Sequence, residues 1–126
     1  MAAYGPCIKV GEFLLPSGLM AIGRDGNIAG TTISSGFAGL SHAGHSQAAA
    51  IYDYAEALCQ AAGTTMAKLL RAQYFVADIL AFPGIAMAWS ARFGHQPHPF
   101  VCVQTPTPMP APGTAVIADF WVSTLQ

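Results

Sequence analysis

Three places in this chain hold side chains able to do chemistry. The stretch "FGHQPHPFVCVQTP", residues 93–106, sets His95 and His98 three apart, then places Phe100 and Cys102 in a short apolar run, and contains no Arg or Lys. His42 and His45 repeat the same i, i+3 spacing, which can bring two imidazoles onto one metal ion. Neither pair has a cysteine or a nearby carboxylate to complete a ligand set, and both lie in Gly- or Pro-rich sequence. They read as loop histidines, so no metal and no other cofactor is expected.

The third place is Asp119, alone in the apolar run "VIADFWV" with Ile117 and Trp121 as its same-face neighbours. A carboxylate inside such a strand loses hydration, which raises its pKa and suits it to general acid–base work. The competing reading is an exposed edge position or a structural hydrogen bond. Cys102 is either a small buried hydrophobe or a residue whose main chain lines a pocket, and no adjacent base lowers its pKa to make it a nucleophile. Cys59 reads as packing, and Arg24 as a solvated turn residue. Trp89, Phe93 and Phe100 are either core or, for Phe100 above all, the wall of an apolar pocket.

The elements that must position these residues follow from periodicity. "IKVGEFLLPSGLMAIGRDGNIAG" predicts strand, turn, strand, turn, strand, with turns at Gly11-Glu12 and Arg24-Asp25-Gly26-Asn27. Residues 31–44 are small, polar and Gly-rich, and predict a loop. From Ser46 to Ala62 the spacing turns helical, with Ile51, Tyr54, Ala55, Leu58 and Ala62 on one face and Gly63 ending the helix. Residues 67–78 alternate as a strand, with Leu70, Ala72, Tyr74 and Val76 on one side. A second helix spans about 82–93, with Pro83 in its first turn. Two last strands, "FVCVQ" and "TAVIADFWVS", flank the rigid "TPTPMPAPG" loop, since proline supplies no ladder donor.

At 126 residues the chain is expected to form one domain, residues 1–126. Only 9% of residues are charged and 53% are hydrophobic, against roughly a quarter charged in an ordinary soluble domain. A membrane span does not explain this, because spanning takes about 20 apolar residues in a row. The apolar stretches here are broken by Arg24, Asp53, Glu56, Asp78 and Arg92. Burial between subunits does explain it. Two helices with one apolar face each cover only one side of the sheet, leaving the other to neighbouring copies. The five basic residues are scattered and the net charge is -1, which gives nucleic acid no electrostatic footprint. Three well-separated cysteines and the lack of a signal-like N-terminal run point to a cytoplasmic protein with reduced thiols.

In order and spacing, "SG" at Ser17-Gly18, the helix ending "ALCQAAG", "YFVADILAF" leading into "AWSARF", and the final "VIADFWV" resemble the Rid/YjgF family of reactive-intermediate deaminases. The resemblance runs from about Gly5 to Val122. It implies an α+β, chorismate-mutase-like subunit, with a mixed sheet carrying two helices on one face. It also implies a homotrimer with a barrel core and ligand sites at subunit interfaces. Family members hydrolyse imines and enamines of amino acids, using an arginine to anchor the carboxylate and a glutamate on the last strand to position water. Asp119 stands where that glutamate is expected, one methylene shorter. The arginine is absent: Phe100 occupies its position, or Pro99 if the gap is placed differently, and an aromatic ring cannot replace a bidentate guanidinium. Ala86 and Trp89 stand for the second-helix asparagine and tyrosine, and Cys7 for the tyrosine usual after the N-terminal Gly-Pro.

Two functions follow. In one, the chain is an enzyme acting on a small imine, enamine or related conjugated intermediate less acidic than the family's usual substrate. Asp119 would then be catalytic, and Ser17, Gly18, Trp89, His98, Phe100 and Cys102 would bind the substrate. His98, just ahead of the missing anchor, is suited to a carbonyl or carboxylate. In the other, the trimer binds a small molecule or a partner without turnover.

Overall fold

A computed structural model describes residues 6–23, 28, 37–94, 96–106, 109–111 and 113–125. Strands β1 (Cys7–Val10) and β2 (Phe13–Pro16) pair antiparallel across the predicted Gly11-Glu12 turn. Gly11 takes φ +56°, a left-handed conformation that glycine enters without steric cost. Among the described residues, the third strand expected after β2 shows only as the isolated antiparallel bridges Leu19↔Ala118 and Ile22↔Ile28. The predicted turn at 24–27, Arg24 included, lies outside the described residues.

Helix α1 (Phe37–Ala61) starts nine residues earlier than periodicity suggested, so residues 37–44 are helix rather than loop. Gly44 in this segment serves packing. A Cβ on Gly44 would sit 2.2 Å from the Ala81 carbonyl oxygen, so glycine is what lets the chain before the second helix come this close. Residues 31–36 of the expected loop lie outside the described residues. The buried face of α1 is also rotated from the predicted one. Ile51 and Ala55 are buried as expected, but Tyr52 and Cys59 join them, while Tyr54 and Leu58 are half-buried. The sheet and the second helix together enclose a wider arc of α1 than one apolar stripe.

Strand β3 (Leu69–Val76) follows a short 3-10 turn, Met66–Lys68, capped by the Thr65 hydroxyl. A bulge between Leu69 and Arg71 shifts the alternation, burying Leu69 and leaving Leu70 exposed. Ala72, Tyr74 and Val76 keep their predicted side. Helix α2 (Phe82–Phe93) and strand β4 (Phe100–Gln104) occupy the predicted residues, and β5 spans Val116–Ser123.

The sheet order is β1-β2-β5-β3-β4, with β3 and β4 parallel and the other pairs antiparallel. The α2 crossover permits the parallel pair. Leu14, Ala72, Tyr74, Val76, Val116, Ala118, Phe120 and Val122 point to the helices and form the core with Ile51, Tyr52, Ile85 and Trp89. Both helices thus lie on one face, as the α+β, chorismate-mutase-like reading required. Buried Gln47 ties α1 to the segment before β5: its amide donates to the Gly113 carbonyl at 2.9 Å and accepts from the Ala115 N–H at 2.8 Å. Among the described residues no helix is long and apolar enough to cross a membrane.

Candidate functional site

Register decides what meets at the β4 edge. Parallel pairing sets Phe100 beside Ala72 and Cys102 beside Tyr74, so these side chains share the helix-covered face. On α2, residues 82, 85, 86, 89 and 90 fall at helical spacing on the side turned to β3 and β4. The two stripes enclose a cavity of about 220 Å³ lined by Tyr52, Tyr74, Phe82, Ile85, Ala86, Trp89, Ser90, His98 and Phe100.

The loop from α2 to β4 holds His98 in place. The Trp89 indole N–H donates to the Gln96 carbonyl at 2.9 Å, and the Gln96 amide donates to the carbonyls of Met66 and Ala67. The Ala72 N–H then bonds the Pro99 carbonyl at 3.0 Å. Between these anchors the His98 ring stacks on Trp89, with centroids 3.7 Å apart and planes 29° from parallel. Phe82 and Phe100 stack at 5.3 Å across the other side. Beneath them the Tyr52 and Tyr74 hydroxyls are 2.8 Å apart, and Tyr74 Oη lies 3.4 Å from His98 Nε2.

No side chain lining the cavity carries a formal charge at neutral pH. Burial lowers the His98 pKa from the ordinary imidazole range, which keeps the ring neutral. Burial raises the Tyr74 phenol to about 12 and pushes Tyr52 up as well, with each hydroxyl coupled to the other. An anion entering here would shed water and find no cation in return.

Asp119 lies elsewhere in the same copy. It pairs in register with Gln73 on the sheet face opposite the helices, between Ile117 and Trp121. Partial burial raises its pKa, and the Arg71 guanidinium opposes that shift. Gly18 sits beside β5: a Cβ added there would meet Ile117 Cγ2 at 3.2 Å, and the next residue, Leu19, exchanges two main-chain bonds with Ala118. Ser17, beside it, donates its N–H to the Pro6 carbonyl. One copy therefore splits the sequence-derived candidates into separate groups. Trp89, His98 and Phe100 gather at the cavity with Cys102 alongside, Asp119 lies on the other face of the sheet, and Gly18, next to Ser17, lines a separate hollow against Tyr54, Ala57 and Leu58 of α1.

Cys102 is half-buried with its thiol pKa raised by burial, which suits packing rather than nucleophilic attack. Its main chain has another property. β4 bonds to β3 through Pro99 and Thr105, and bonds alternate along a strand, so Phe100, Cys102 and Gln104 turn their N–H and C=O groups outward from the sheet edge. His42 and His45 lie on α1 instead of in a loop, and among the described residues no three His, Cys, Asp or Glu side chains gather as a metal site. His95 lies outside the described residues. The sequence reading missed Tyr52 and Tyr74 as cavity residues. Only the β3–β4 register and the true buried face of α1 bring them under His98.

No protein-family model and no curated protein matches this sequence. Solved structures do match in fold. A Mycobacterium tuberculosis member of the YjgF/YER057c/UK114 family is 19% identical, covering 95% of this chain and 86% of its own, with a TM-score of 0.72. YyfA of Yersinia pestis, of the Rid protein family, is 18% identical over 98% of this chain and 89% of its own, with a TM-score of 0.76. Yeast Mmf1 is 14% identical over 99% and 90%, also at 0.76. The resemblance read from the sequence is borne out in the fold of nearly the whole chain.

Proposed function

We propose that this chain is a divergent Rid/YjgF-family enzyme, a homotrimer that acts on a small, uncharged imine, enamine or related conjugated intermediate at clefts between copies. The observation that carries the reading is the charge-free aromatic cavity beside Phe100, at the position where the family resemblance expects an arginine. A site without a guanidinium discards carboxylate recognition and keeps apolar contact and neutral hydrogen bonds.

Asp119 and the cavity lie on opposite faces of one sheet, so a shared site needs Asp119 from one copy and the β4 edge of another. The open face supports such packing: Ile8, Val10, Phe13, Val101, Val103 and Trp121 are each more than a third exposed, and Phe13 meets Trp121 edge-on at 6.4 Å. The outward main chain of Phe100, Cys102 and Gln104 also offers donors to a developing negative charge. In hydrolysis, Asp119 takes a proton from water as its oxygen adds to the C=N carbon. The proton passes to nitrogen, the C–N bond breaks, and ammonia leaves with a carbonyl product.

The test is a panel of neutral and carboxylate-bearing imines assayed with wild type and Asp119→Asn. Turnover of a neutral imine that falls at least about 100-fold in Asp119→Asn supports the reading, with 2-aminoacrylate barely accelerated. Rates on 2-aminoacrylate like those of typical family deaminases would refute it. The second reading, a ligand-binding trimer without turnover, is favoured by the separation of Asp119 from the cavity within one copy. It prevails if ligands bind and none is converted.

A further inference from the structure

The phenol chain bears on which nitrogen of His98 is free. Tyr52 and Tyr74 are almost wholly buried, at 0% and 2% exposure, and among the described residues the Tyr52 hydroxyl bonds only that of Tyr74. Two directions are open. If Tyr74 donates to Tyr52, the Tyr52 hydrogen has no acceptor inside a closed core. If Tyr52 donates to Tyr74, the Tyr74 hydrogen passes on to His98 Nε2 and both hydrogens are used. Buried polar groups are as a rule paired, which favours the order Tyr52 to Tyr74 to His98. His98 Nε2 is then an acceptor, and in the neutral ring the proton sits on Nδ1. Nδ1 has no hydrogen-bond partner among the described residues, while stacking on Trp89 fixes the plane of the ring.

We infer that the cavity binds a neutral, single-ring conjugated carbonyl compound, with His98 donating its Nδ1–H to the carbonyl oxygen. Size agrees: a dry cavity of about 150 Å³ takes benzene, and about 220 Å³ leaves room for one ring and a short substituent. Chemistry agrees too, because aromatic rings, Phe82, Phe100, Trp89 and His98 among them, make up most of the lining. The inference rests on reading this cavity as a small-molecule site and is independent of what Asp119 does.

The test uses the full-length protein and three isosteric probes. Acetophenone has the ring and a neutral acceptor, α-methylstyrene lacks the acceptor, and benzoate carries a charge. By isothermal titration, acetophenone is expected to bind at least about fivefold tighter than α-methylstyrene, the worth of one hydrogen bond. It should exceed benzoate by about tenfold or more. His98→Phe, which keeps a flat ring, should erase the first difference. In ¹⁵N-histidine-labelled protein, His98 should show the Nδ1–H tautomer in wild type and revert to Nε2–H in Tyr74→Phe. If Tyr74→Phe does not fold, Y52F/Y74F leaves no orphaned hydroxyl and should give the same reversion. Equal binding of acetophenone and α-methylstyrene, no binding of acetophenone, a preference for benzoate, an Nε2–H tautomer in wild type, or an unchanged tautomer in the variants overturns the inference. Because none of the probes is a substrate for C=N hydrolysis, failure to turn over imines leaves this result standing, and failure here leaves the turnover assay readable.

Discussion

In the proposed reading, ligand choice turns on Phe100. Its ring stacks on Phe82 at the mouth of a cavity whose other walls are neutral, so a single guanidinium placed there would be the site's first formal charge. Phe100→Arg should therefore raise benzoate affinity by about tenfold or more, as charge-assisted bonds contribute about 1.5–3 kcal/mol, and should weaken acetophenone. Titration calorimetry checks both. His98 sets a pH dependence. Burial depresses its folded pKa, so between the folded value and the unfolded value of about 6.5 the unfolded chain binds more protons. Stability from the neutral ring is thus complete above about pH 6.5 and is lost as pH falls through the folded pKa. Urea midpoints measured from pH 7.5 to 5 should decline in wild type, and His98→Phe should flatten part of that decline. The sequence marked His98 and Phe100 as worth attention because both bracket the strand entrance. It did not mark Tyr74, since nothing local says that a strand tyrosine pairs in register with Cys102.

At the level of elements, α1 and α2 touch through glycine. A Cβ on Gly84 would lie 1.7 Å from the Ser41 carbonyl oxygen and 2.7 Å from the His45 nitrogen, both rigid helix backbone. Gly84→Ala should thus force the helices apart and cost about 1–3 kcal/mol, read as a lower urea midpoint, and by moving α2 it should weaken acetophenone as well. Gln47 is the other fastening. Gln47→Ala leaves the Ala115 N–H and Gly113 carbonyl without their partner, at about 1–3 kcal/mol for each group that stays dry, and the same unfolding experiment measures it. Helix α2, strand β4 and the β1–β2 hairpin were readable from pattern and turn chemistry. The start of α1 was not, because small residues that loosen an isolated helix are the ones that allow two helices to pack closely. The bulge in β3 was equally hidden, since alternation carries no mark of an inserted residue.

For the molecule as a whole, the helices cover one face of the sheet and leave an apolar face and two strand edges open. Wild type should sediment at three times the 13.1 kDa chain mass. Trp121→Glu, placing a charge in the centre of that open face, should shift it to monomer while far-UV circular dichroism is retained. Loss of turnover together with the trimer would support a site shared between copies. Retention of full turnover in the monomer would place the whole site within one chain.

Periodicity, turn residues and the scarcity of charge were enough to set the order of most elements and the one-sided placement of the helices, because each depends on local pattern or bulk composition. That an arginine is missing at Phe100 is what the resemblance to the Rid/YjgF family implies, and no local pattern says so. What only the tertiary structure decided is adjacency: that Tyr52 and Tyr74 lie under His98, that Trp89 is stacked on it, and that Asp119 points away from all of them. Those facts depend on strand register, helix rotation and a bulge, and such long-range contacts leave little trace in neighbouring residues.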